Sequence, residues 1–193
     1  MNFTQTNIPD VVIIDPAVFT DERGWFMESF NQQKFEQGLQ QLGLPLPRPF
    51  VQDNHSCSKK GVLRGLHYQL PPHAQGKLVR VTHGAAFDVA VDIRQGSPTF
   101  GQWAGVELSA SNHRMLWIPE GFAHGFVALA EDTHFLYKTT DFYARDCEAA
   151  IRWDDPSIAI AWPDSDALII NAKDRDAPLL ENARLHPSGA DGQ

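Results

Sequence analysis

Phe87-Asp-Val-Ala-Val-Asp-Ile-Arg94 is the stretch that decides the fold class. Large apolar side chains occupy every second position and alternate with small or charged ones: Phe87, Val89, Val91 and Ile93 against Asp88, Ala90, Asp92 and Arg94. Successive side chains of a β-strand point to opposite faces, so a period of two predicts a half-buried strand here.

The sequence on both sides of this strand continues the β pattern. Short apolar segments at close intervals are separated by Gly, Pro, Ser and Asn. We predict strands within 10–20, 25–30, 78–82, 103–108, 115–118, 125–129 and 134–138, with 151–162 ending the β region. Many short strands separated by turn signals are typical of a β-sandwich or barrel. The sequence therefore predicts an all-β fold.

The best helix candidate covers residues 31–39, Asn-Gln-Gln-Lys-Phe-Glu-Gln-Gly-Leu. Asn31 is a favourable N-cap, and most of the residues after it are helix formers. Pro and Gly within 43–49 end the helix. We expect only a few short helices around the β core.

The chain has 193 residues, which fits one domain with a sizeable core. No internal repeat, low-complexity linker or shift in composition divides it. We expect a single domain over 1–193, with a core over about 7–180. The polar end, about 184–193, is predicted to be a mobile tail.

Composition excludes several classes of function. A formal net charge of −8 disfavours nucleic acid and anionic membranes as partners. No apolar run approaches the roughly 20 residues that span a bilayer, and the start of the chain lacks the features of a signal peptide. Two cysteines, Cys57 and Cys147, provide no disulfide framework. We expect a cytoplasmic protein with no membrane or nucleic-acid partner.

Several ionisable side chains lie close together in the mostly apolar segment 61–77, Gly-Val-Leu-Arg-Gly-Leu-His-Tyr-Gln-Leu-Pro-Pro-His-Ala-Gln-Gly-Lys. Arg64, His67 and Lys77 stand among apolar residues, where charge is costly without a partner or a ligand. A histidine beside fixed positive charge suits proton transfer on an anionic substrate. A hairpin whose polar groups are all satisfied explains these residues equally well.

Eight motifs in one order reveal a family resemblance. They are Asp21-Glu-Arg-Gly24, Gln52-Asp-Asn-His-Ser56, Val62-Leu-Arg-Gly-Leu-His67, Gln75-Gly-Lys-Leu-Val-Arg80, Phe87–Arg94, Ser97-Pro-Thr-Phe-Gly101, Trp117-Ile-Pro-Glu-Gly-Phe-Ala-His-Gly-Phe126 and Leu136-Tyr-Lys138. The chain resembles the dTDP-4-dehydrorhamnose 3,5-epimerases over roughly residues 7–180. The resemblance implies a cupin-type jelly roll, a homodimer, a dTDP-sugar substrate, and catalysis without a metal or organic cofactor.

The implied substrate is dTDP-4-dehydro-6-deoxy-D-glucose, whose C4 carbonyl acidifies the hydrogens on C3 and C5. Inverting each carbon requires a base on one face, an acid on the other, and a cation at the enolate oxygen. By matching position, the resemblance implies His67 as the base and Asp174 as its orienting carboxylate. It implies Lys77 as the enolate-stabilising cation and Tyr137 as the proton donor.

Each of these residues also has an ordinary structural explanation. Taken alone, His67 is more often part of a hydrogen-bonded core, and Tyr137 a core aromatic with a hydrated hydroxyl. Asp174 alone would be a solvated surface carboxylate. Tyr143 is a rival donor close to Tyr137 in sequence. The resemblance places the donor at Tyr137 and a substrate-packing tyrosine at Tyr143.

The diphosphate and the thymine need binding groups of their own. Arg64 can contact phosphate through two nitrogens at once. The resemblance places Arg23 and Glu28 where residues of the partner subunit reach the nucleotide, although a surface ion pair of little energetic weight is an alternative. The remaining substrate-binding candidates are Phe26, which is equally well a core aromatic, and Gln52, Asn54, Glu148 and Lys173.

Pro119-Glu-Gly-Phe-Ala-His124 matches one half of the metal-binding motif of cupins. The other half needs a His-x-His, and residues 77–94 contain only His83. Zinc or iron requires three or four ligands, so we expect no metal site. His124 is interpreted as a hydrogen-bonding group for the substrate.

Two other functions stay open from the sequence. Relatives of these enzymes epimerise C3 or C5 alone, or isomerise a related keto sugar. A metal-dependent cupin, or a sugar-nucleotide binding protein without activity, is the remote alternative.

Overall fold

The computed structural model describes residues 1–164 and 167–185, so the predicted mobile tail lies outside the described residues from 186 onward. The strands are β1 (Asn2–Gln5), β2 (Val12–Asp15), β3 (Val18–Asp21), β4 (Gly24–Met27), β5 (Gln52–Ser58), β6 (Leu63–Gln69), β7 (Lys77–His83), β8 (Ala85–Asp92), β9 (Trp103–Ser109), β10 (Met115–Ile118), β11 (Phe122–Ala128), β12 (Thr133–Thr139) and β13 (Glu148–Ala150). The helices are α1 (Gln32–Gln41) and α2 (Ala172–Arg175), and single 3₁₀ turns cover Arg145–Cys147 and Leu180–Asn182.

Two antiparallel sheets form a sandwich, which confirms the predicted all-β class. One sheet has six strands in the order β1-β2-β10-β7-β12-β5, and the other has five in the order β13-β6-β11-β8-β9. Strands β3 and β4 form a separate two-stranded hairpin. Side chains from both inner faces, among them Val79, Phe126 and Phe135, fill the space between the sheets.

The outer faces of the two sheets are covered by different segments. Helix α1 covers the six-stranded sheet with Phe35 and Leu39, which pack near Trp117. Its N-cap is Asn31, whose side chain accepts a hydrogen bond from the Lys34 amide, as the sequence predicted. The C-terminal segment covers the five-stranded sheet and contributes apolar side chains that include Ile158, Trp162 and Leu180.

The strand that decided the fold class is present, but its predicted polar face is not exposed. Asp88 and Asp92 are completely buried. The alternating apolar side chains of β8 lie under the C-terminal segment, and its small and acidic ones face the space between the sheets. Both faces of the strand are therefore covered. The acidic side chains of the strand point to the interior of the sandwich and not to solvent.

The C-terminal part departs from the prediction as well. Residues 151–162, predicted to end the β region, contain no strand, and β13 at Glu148–Ala150 is the last strand within the described residues. The Asp155 carboxylate accepts hydrogen bonds from the Ser157 and Ile158 amides and holds this segment in turns. The predicted strands also did not include β1, β5, β6 or β13, and no helix was predicted at α2. No helix of the described residues is long and apolar enough to cross a membrane.

Candidate active site

A cleft of about 360 Å³ opens between the two sheets and gathers most of the predicted site residues. It is lined by Asn54, Arg64, His67, Lys77, His124, Tyr137, Tyr143 and Glu148, together with residues that the sequence did not single out, such as Gln69, Gln75 and Phe126. Strands β6 and β11 form one wall, and β5, β7 and β12 form the other.

A β-bulge in β6 turns Arg64 and His67 toward the same cleft. Residues three apart in a regular strand point to opposite faces. Opposite β11, however, His67 pairs with His124 and Arg64 pairs with Phe126, so β6 contains one extra residue. Gly65 lies in this bulge at φ +128°, and a Cβ there would stand 2.5 Å from the Cα of Gly125.

His67 and Asp174 form the predicted pair. The Nε2 of His67 lies 2.6 Å from the Oδ1 of Asp174. Since a carboxylate accepts hydrogen bonds, Nε2 carries the hydrogen and Nδ1 is left as the basic nitrogen. The imidazole is about one-third exposed, at 32%, so it is accessible from the cleft.

Asp174 is completely buried, contrary to the surface position that its sequence context suggested. The Asn171 side chain caps α2 by accepting a hydrogen bond from the Asp174 amide. The bulge leaves the Gly65 amide free, and this amide donates to Oδ2 of Asp174 at 3.2 Å. Burial alone would raise the pKa of Asp174, but the hydrogen bonds from His67 and Gly65 lower it, which keeps the carboxyl ionised.

Lys77 begins β7 and is buried in the cleft wall. Its Nζ donates a hydrogen bond to the His67 carbonyl at 3.2 Å, which places the ammonium beside His67. Burial lowers the pKa of Lys77 to about 8, against the attraction of Asp88 and Glu148. At neutral pH the side chain is a cation that is poorly solvated and available to a developing anion.

Tyr137 approaches the cleft from the wall opposite His67. It lies on β12 of the six-stranded sheet, whereas His67 lies on β6 of the five-stranded sheet. Burial raises the pKa of Tyr137, and the nearby Arg64 moderates the effect. The phenol therefore stays neutral and can donate a proton at pH 7.

Tyr143 closes the cleft from a loop after β12 and makes a different set of contacts. Its hydroxyl donates to Glu148 Oε2 at 3.0 Å, and its amide donates to Gln52 Oε1 at 3.1 Å. Glu148 is also paired with Lys173 at 2.7 Å. Although burial opposes it, these contacts lower the pKa of Glu148 and keep it ionised. Gln52 and Lys173 thus support the cleft from behind, as contacts of its lining residues.

His124 forms a second histidine–carboxylate pair that the sequence did not reveal. Its Nε2 lies 2.7 Å from Oδ1 of Asp88, and both side chains are buried. Oδ2 of Asp88 has no hydrogen-bond partner among the described residues. Burial lowers the pKa of His124 despite the adjacent carboxylate, so the ring is neutral at pH 7. With the hydrogen on Nε2, its Nδ1 is an acceptor.

Arg64 is the exposed cation of the cleft. Its Nε donates to Ser58 Oγ at 3.1 Å, while its two terminal nitrogens make no hydrogen bond within residues 1–164 and 167–185. Two parallel donors at a cleft entrance match a phosphate group. Asn54, on the neighbouring wall, accepts a hydrogen bond from the Gln52 amide group.

Six predicted residues lie outside the cleft lining: Gln52, Lys173 and Asp174 bond residues that line it, whereas Arg23, Phe26 and Glu28 lie apart from it. Arg23 and Phe26 belong to the β3–β4 hairpin, and Glu28 follows it directly. Arg23 pairs with Asp21 at 2.5 Å, and Glu28 pairs with Lys34 at 2.8 Å. Phe26 is 70% exposed, which excludes its alternative interpretation as a core aromatic in this chain. In the described part of the chain, no group of three or more His, Cys, Asp and Glu residues could hold a metal ion.

Comparison with known proteins places this cleft among enzymes of one kind. The family model for dTDP-4-dehydrorhamnose 3,5-epimerase matches residues 5–182. The dTDP-4-dehydrorhamnose 3,5-epimerase of Salmonella typhimurium is 59% identical over 94% of this chain and 96% of its own length. The enzyme of that name from Pseudomonas aeruginosa is 56% identical, over 97% of this chain and all of its own.

A solved structure agrees in shape as well as in sequence. The dTDP-6-deoxy-D-glucose-3,5-epimerase of Legionella pneumophila, in complex with dTDP-4-keto-L-rhamnose, superposes with a TM-score of 0.91. The match has 49% identity and covers 98% of this chain and 99% of that one. The sandwich is accordingly the cupin-type jelly roll that the resemblance implied.

Proposed function

The chain belongs to the dTDP-4-dehydrorhamnose 3,5-epimerase family, and from this membership we propose how its cleft inverts two carbons of one sugar. The enzyme converts dTDP-4-dehydro-6-deoxy-D-glucose to dTDP-4-dehydro-L-rhamnose by epimerising C3 and C5. The remaining task is to assign each step of the proton transfer to a side chain.

His67 removes the proton from the carbon through Nδ1. Asp174 holds the hydrogen on Nε2 and stabilises the imidazolium that forms. Because Asp174 is buried and bonded through both oxygens, the ring has one orientation relative to the sugar. The pair acts at both C3 and C5, since one base serves both carbons.

Lys77 stabilises the enolate. When the C–H bond breaks, its electron pair moves into the bond to C4, and negative charge collects on the C4 oxygen. A cation already fixed in a poorly solvated wall favours this charge without reorganising first. Neutral His124 lies beside His67 in the wall, where it is suited to hold a sugar hydroxyl through Nδ1.

Tyr137 returns a proton to the opposite face. Its position on the facing sheet supplies the geometry that inversion requires. The transfer leaves an imidazolium at His67 and a phenolate at Tyr137. Passing one proton from the first to the second, through solvent in the cleft, restores both groups for the other carbon.

The observation that carries this function is the His67–Asp174 pair facing Tyr137 across one cleft. Incubating the enzyme with substrate in deuterated water tests it. We expect deuterium at both C3 and C5 in the wild type and at neither carbon in His67→Ala. Exchange at a single carbon would identify a mono-epimerase, and exchange at neither in the wild type would refute the function.

A homodimer completes the nucleotide site in this proposal. The β3–β4 hairpin lies outside both sheets and exposes Phe19, Trp25 and Phe26, an unusual surface for a chain acting alone. Arg23 and Glu28 of one subunit then reach the dTDP bound by its partner. Arg23→Ala should weaken dTDP binding roughly tenfold with the base intact, since it removes one charged contact. An unchanged dissociation constant would argue against this arrangement.

We place the enzyme in the cytoplasm as part of the same proposal. Cys57 and Cys147 are both free thiols, which fits a reducing compartment. Measurement of enzyme activity in fractionated cells would test the assignment, and recovery of the activity outside the cytoplasm would refute it.

A further inference from the structure

Arg48 joins three loops outside the cleft lining through hydrogen bonds. It lies between α1 and β5, in a segment without regular structure. Its Nε donates to Glu120 Oε1 at 2.9 Å, and its Nη1 donates to Asp141 Oδ2 at 2.9 Å. Its Nη2 donates to the Ala74 carbonyl. A planar guanidinium holds its donors in fixed directions, whereas the three donors of a lysine ammonium rotate.

Asp141, which Arg48 contacts, is two residues before Tyr143 in the same loop. Oδ1 of Asp141 accepts the Phe142 amide at 2.7 Å, and its carbonyl accepts from Gln75 Nε2 at 2.7 Å. The loop that Asp141 begins therefore leaves β12 in a defined direction. Two residues later, Tyr143 bonds Glu148 inside the cleft.

Glu120, which Arg48 also contacts, is linked by hydrogen bonds to the residue before Lys77. Glu120 Oε1 also accepts from the Thr140 hydroxyl at 3.2 Å, and that hydroxyl accepts from the Gly76 amide at 2.8 Å. Gly76 immediately precedes Lys77. The guanidinium thus braces the loop before β7 and the loop after β12 against each other.

We propose that Arg48 is a positioning residue that sets where Tyr143 lies over the sugar, and through it the balance between reaction at C3 and at C5. The inference rests on the proposed function. In this proposal the tilt of the sugar ring decides which hydrogen faces His67, and Tyr143, which lines the cleft with His67, packs against the ring. Arg48 acts through Asp141 and touches neither the substrate nor the reacting atoms.

An ion pair of the same exposure elsewhere provides the control. Arg114 donates to Asp15 at 2.9 Å, and its side chain is 44% exposed, the same fraction as Arg48. Neither Arg114 nor its partner Asp15 lines the cleft. Arg114→Gln therefore reproduces the loss of a surface cation and an ion pair without disturbing the loop.

The experiment measures the ratio of the initial rates of deuterium uptake at C3 and C5 in wild type, Arg48→Gln, Asp141→Asn and Arg114→Gln. A displaced Tyr143 changes this ratio, whereas a general loss of stability or of active protein lowers both rates together. We expect Arg48→Gln and Asp141→Asn to change the ratio in the same direction by about fivefold or more, since displacements of about 1 Å can cost up to 100-fold. Arg114→Gln should keep the wild-type ratio.

The double variant Arg48→Gln/Asp141→Asn tests whether the two residues act through one contact. We expect the change in its ratio to be smaller than the product of the two single changes, because the contact between Arg48 and Asp141 is lost in each single variant and can be lost only once. A wild-type ratio in Arg48→Gln, whatever its melting temperature, would overturn the proposal. Failure of the proposed function is distinguished by the absence of exchange in the wild type itself.

Discussion

Two histidine–carboxylate pairs lie side by side in one wall of the cleft and differ in what surrounds them. His67 and His124 are direct neighbours on β6 and β11, and each is bonded to an aspartate at 2.6 or 2.7 Å. The His67 side chain is 32% exposed, and that of His124 is 8% exposed. Both oxygens of Asp174 are bonded, whereas Asp88 keeps one oxygen without a partner among the described residues.

The difference shows that a histidine–aspartate pair does not define a base by itself. His67 is open to the cleft, and its carboxylate is fully occupied in orienting it. His124 is buried, and burial lowers its pKa below that of an ordinary histidine, so that it stays neutral. The negative charge of Asp88 in turn partly offsets the lowering of the Lys77 pKa by burial. The exposure of the first pair fits the proton transfer that we propose for it, and the burial of the second fits a role in holding hydrogen bonds in place.

The largest expected effect separates the two histidines directly. His67→Asn should lower the rate of exchange at both carbons by about 10³-fold, within the range of general base catalysis. His124→Asn should lower it by about tenfold, the value of one hydrogen bond. Deuterium uptake measured by NMR distinguishes the two. Equal losses in both variants would mean that the pairs share one role.

Substituting the aspartate of each pair should lower activity in the same order as substituting its histidine, but by less. Asp174→Asn removes the negative charge and replaces one of the two accepting oxygens with an NH2 donor, so His67 and the Gly65 amide can no longer both donate to it. We expect a loss of about 10²-fold in kcat. Asp88→Asn should cost about tenfold, because His124 acts without changing its protonation. Steady-state kinetics with circular dichroism as a check of folding would measure both. A larger loss in Asp88→Asn than in Asp174→Asn would reverse the assignment.

A pH profile tests how the second pair acts on Lys77. The pKa of Lys77 is about 8, so its charge is lost as pH rises through that value, and kcat should fall on the alkaline side from about pH 8. Removing the negative charge of Asp88 lowers the pKa of Lys77, so in Asp88→Asn the fall should begin at a lower pH. In Lys77→Arg it should move to a higher pH, because a guanidinium stays charged. An alkaline limb unchanged in both variants would exclude Lys77 as its origin.

The smallest effect concerns stability in acid. The pKa of Asp174 is lower in the folded protein than its ordinary value of 3.8, because burial raises it but the hydrogen bonds from His67 and Gly65, together with the charges of His67 and Lys173, lower it by more. Its contribution to stability is present above that ordinary pKa and is lost as pH falls through the lowered one. In Asp174→Asn, unfolding monitored between pH 5 and 2 should show a weaker dependence on pH than in the wild type. An identical dependence would show that the pair does not stabilise the fold.

Much of the fold was predictable because its signals are local. The alternation in Phe87–Arg94 and the cap at Asn31 act over a few residues, and both elements formed where they were predicted. The exposure of Asp88 and Asp92 was predicted wrongly, because a strand covered on both faces can have the same alternation as a half-exposed one. The prediction of a β region over 151–162 was also wrong, since Asp155 holds that segment in turns.

By itself, the sequence determined the family, the all-β class and the kinds of side chain available for proton transfer, because these depend on residue identity and order. Only the tertiary structure decided which of those side chains act together. Arg64 and His67 share a face because a bulge adds one residue to β6, and the amide that this bulge frees bonds an aspartate over 100 positions away in the chain. Such contacts depend on how two sheets and a C-terminal segment pack, and packing joins residues that have no local relation in the sequence.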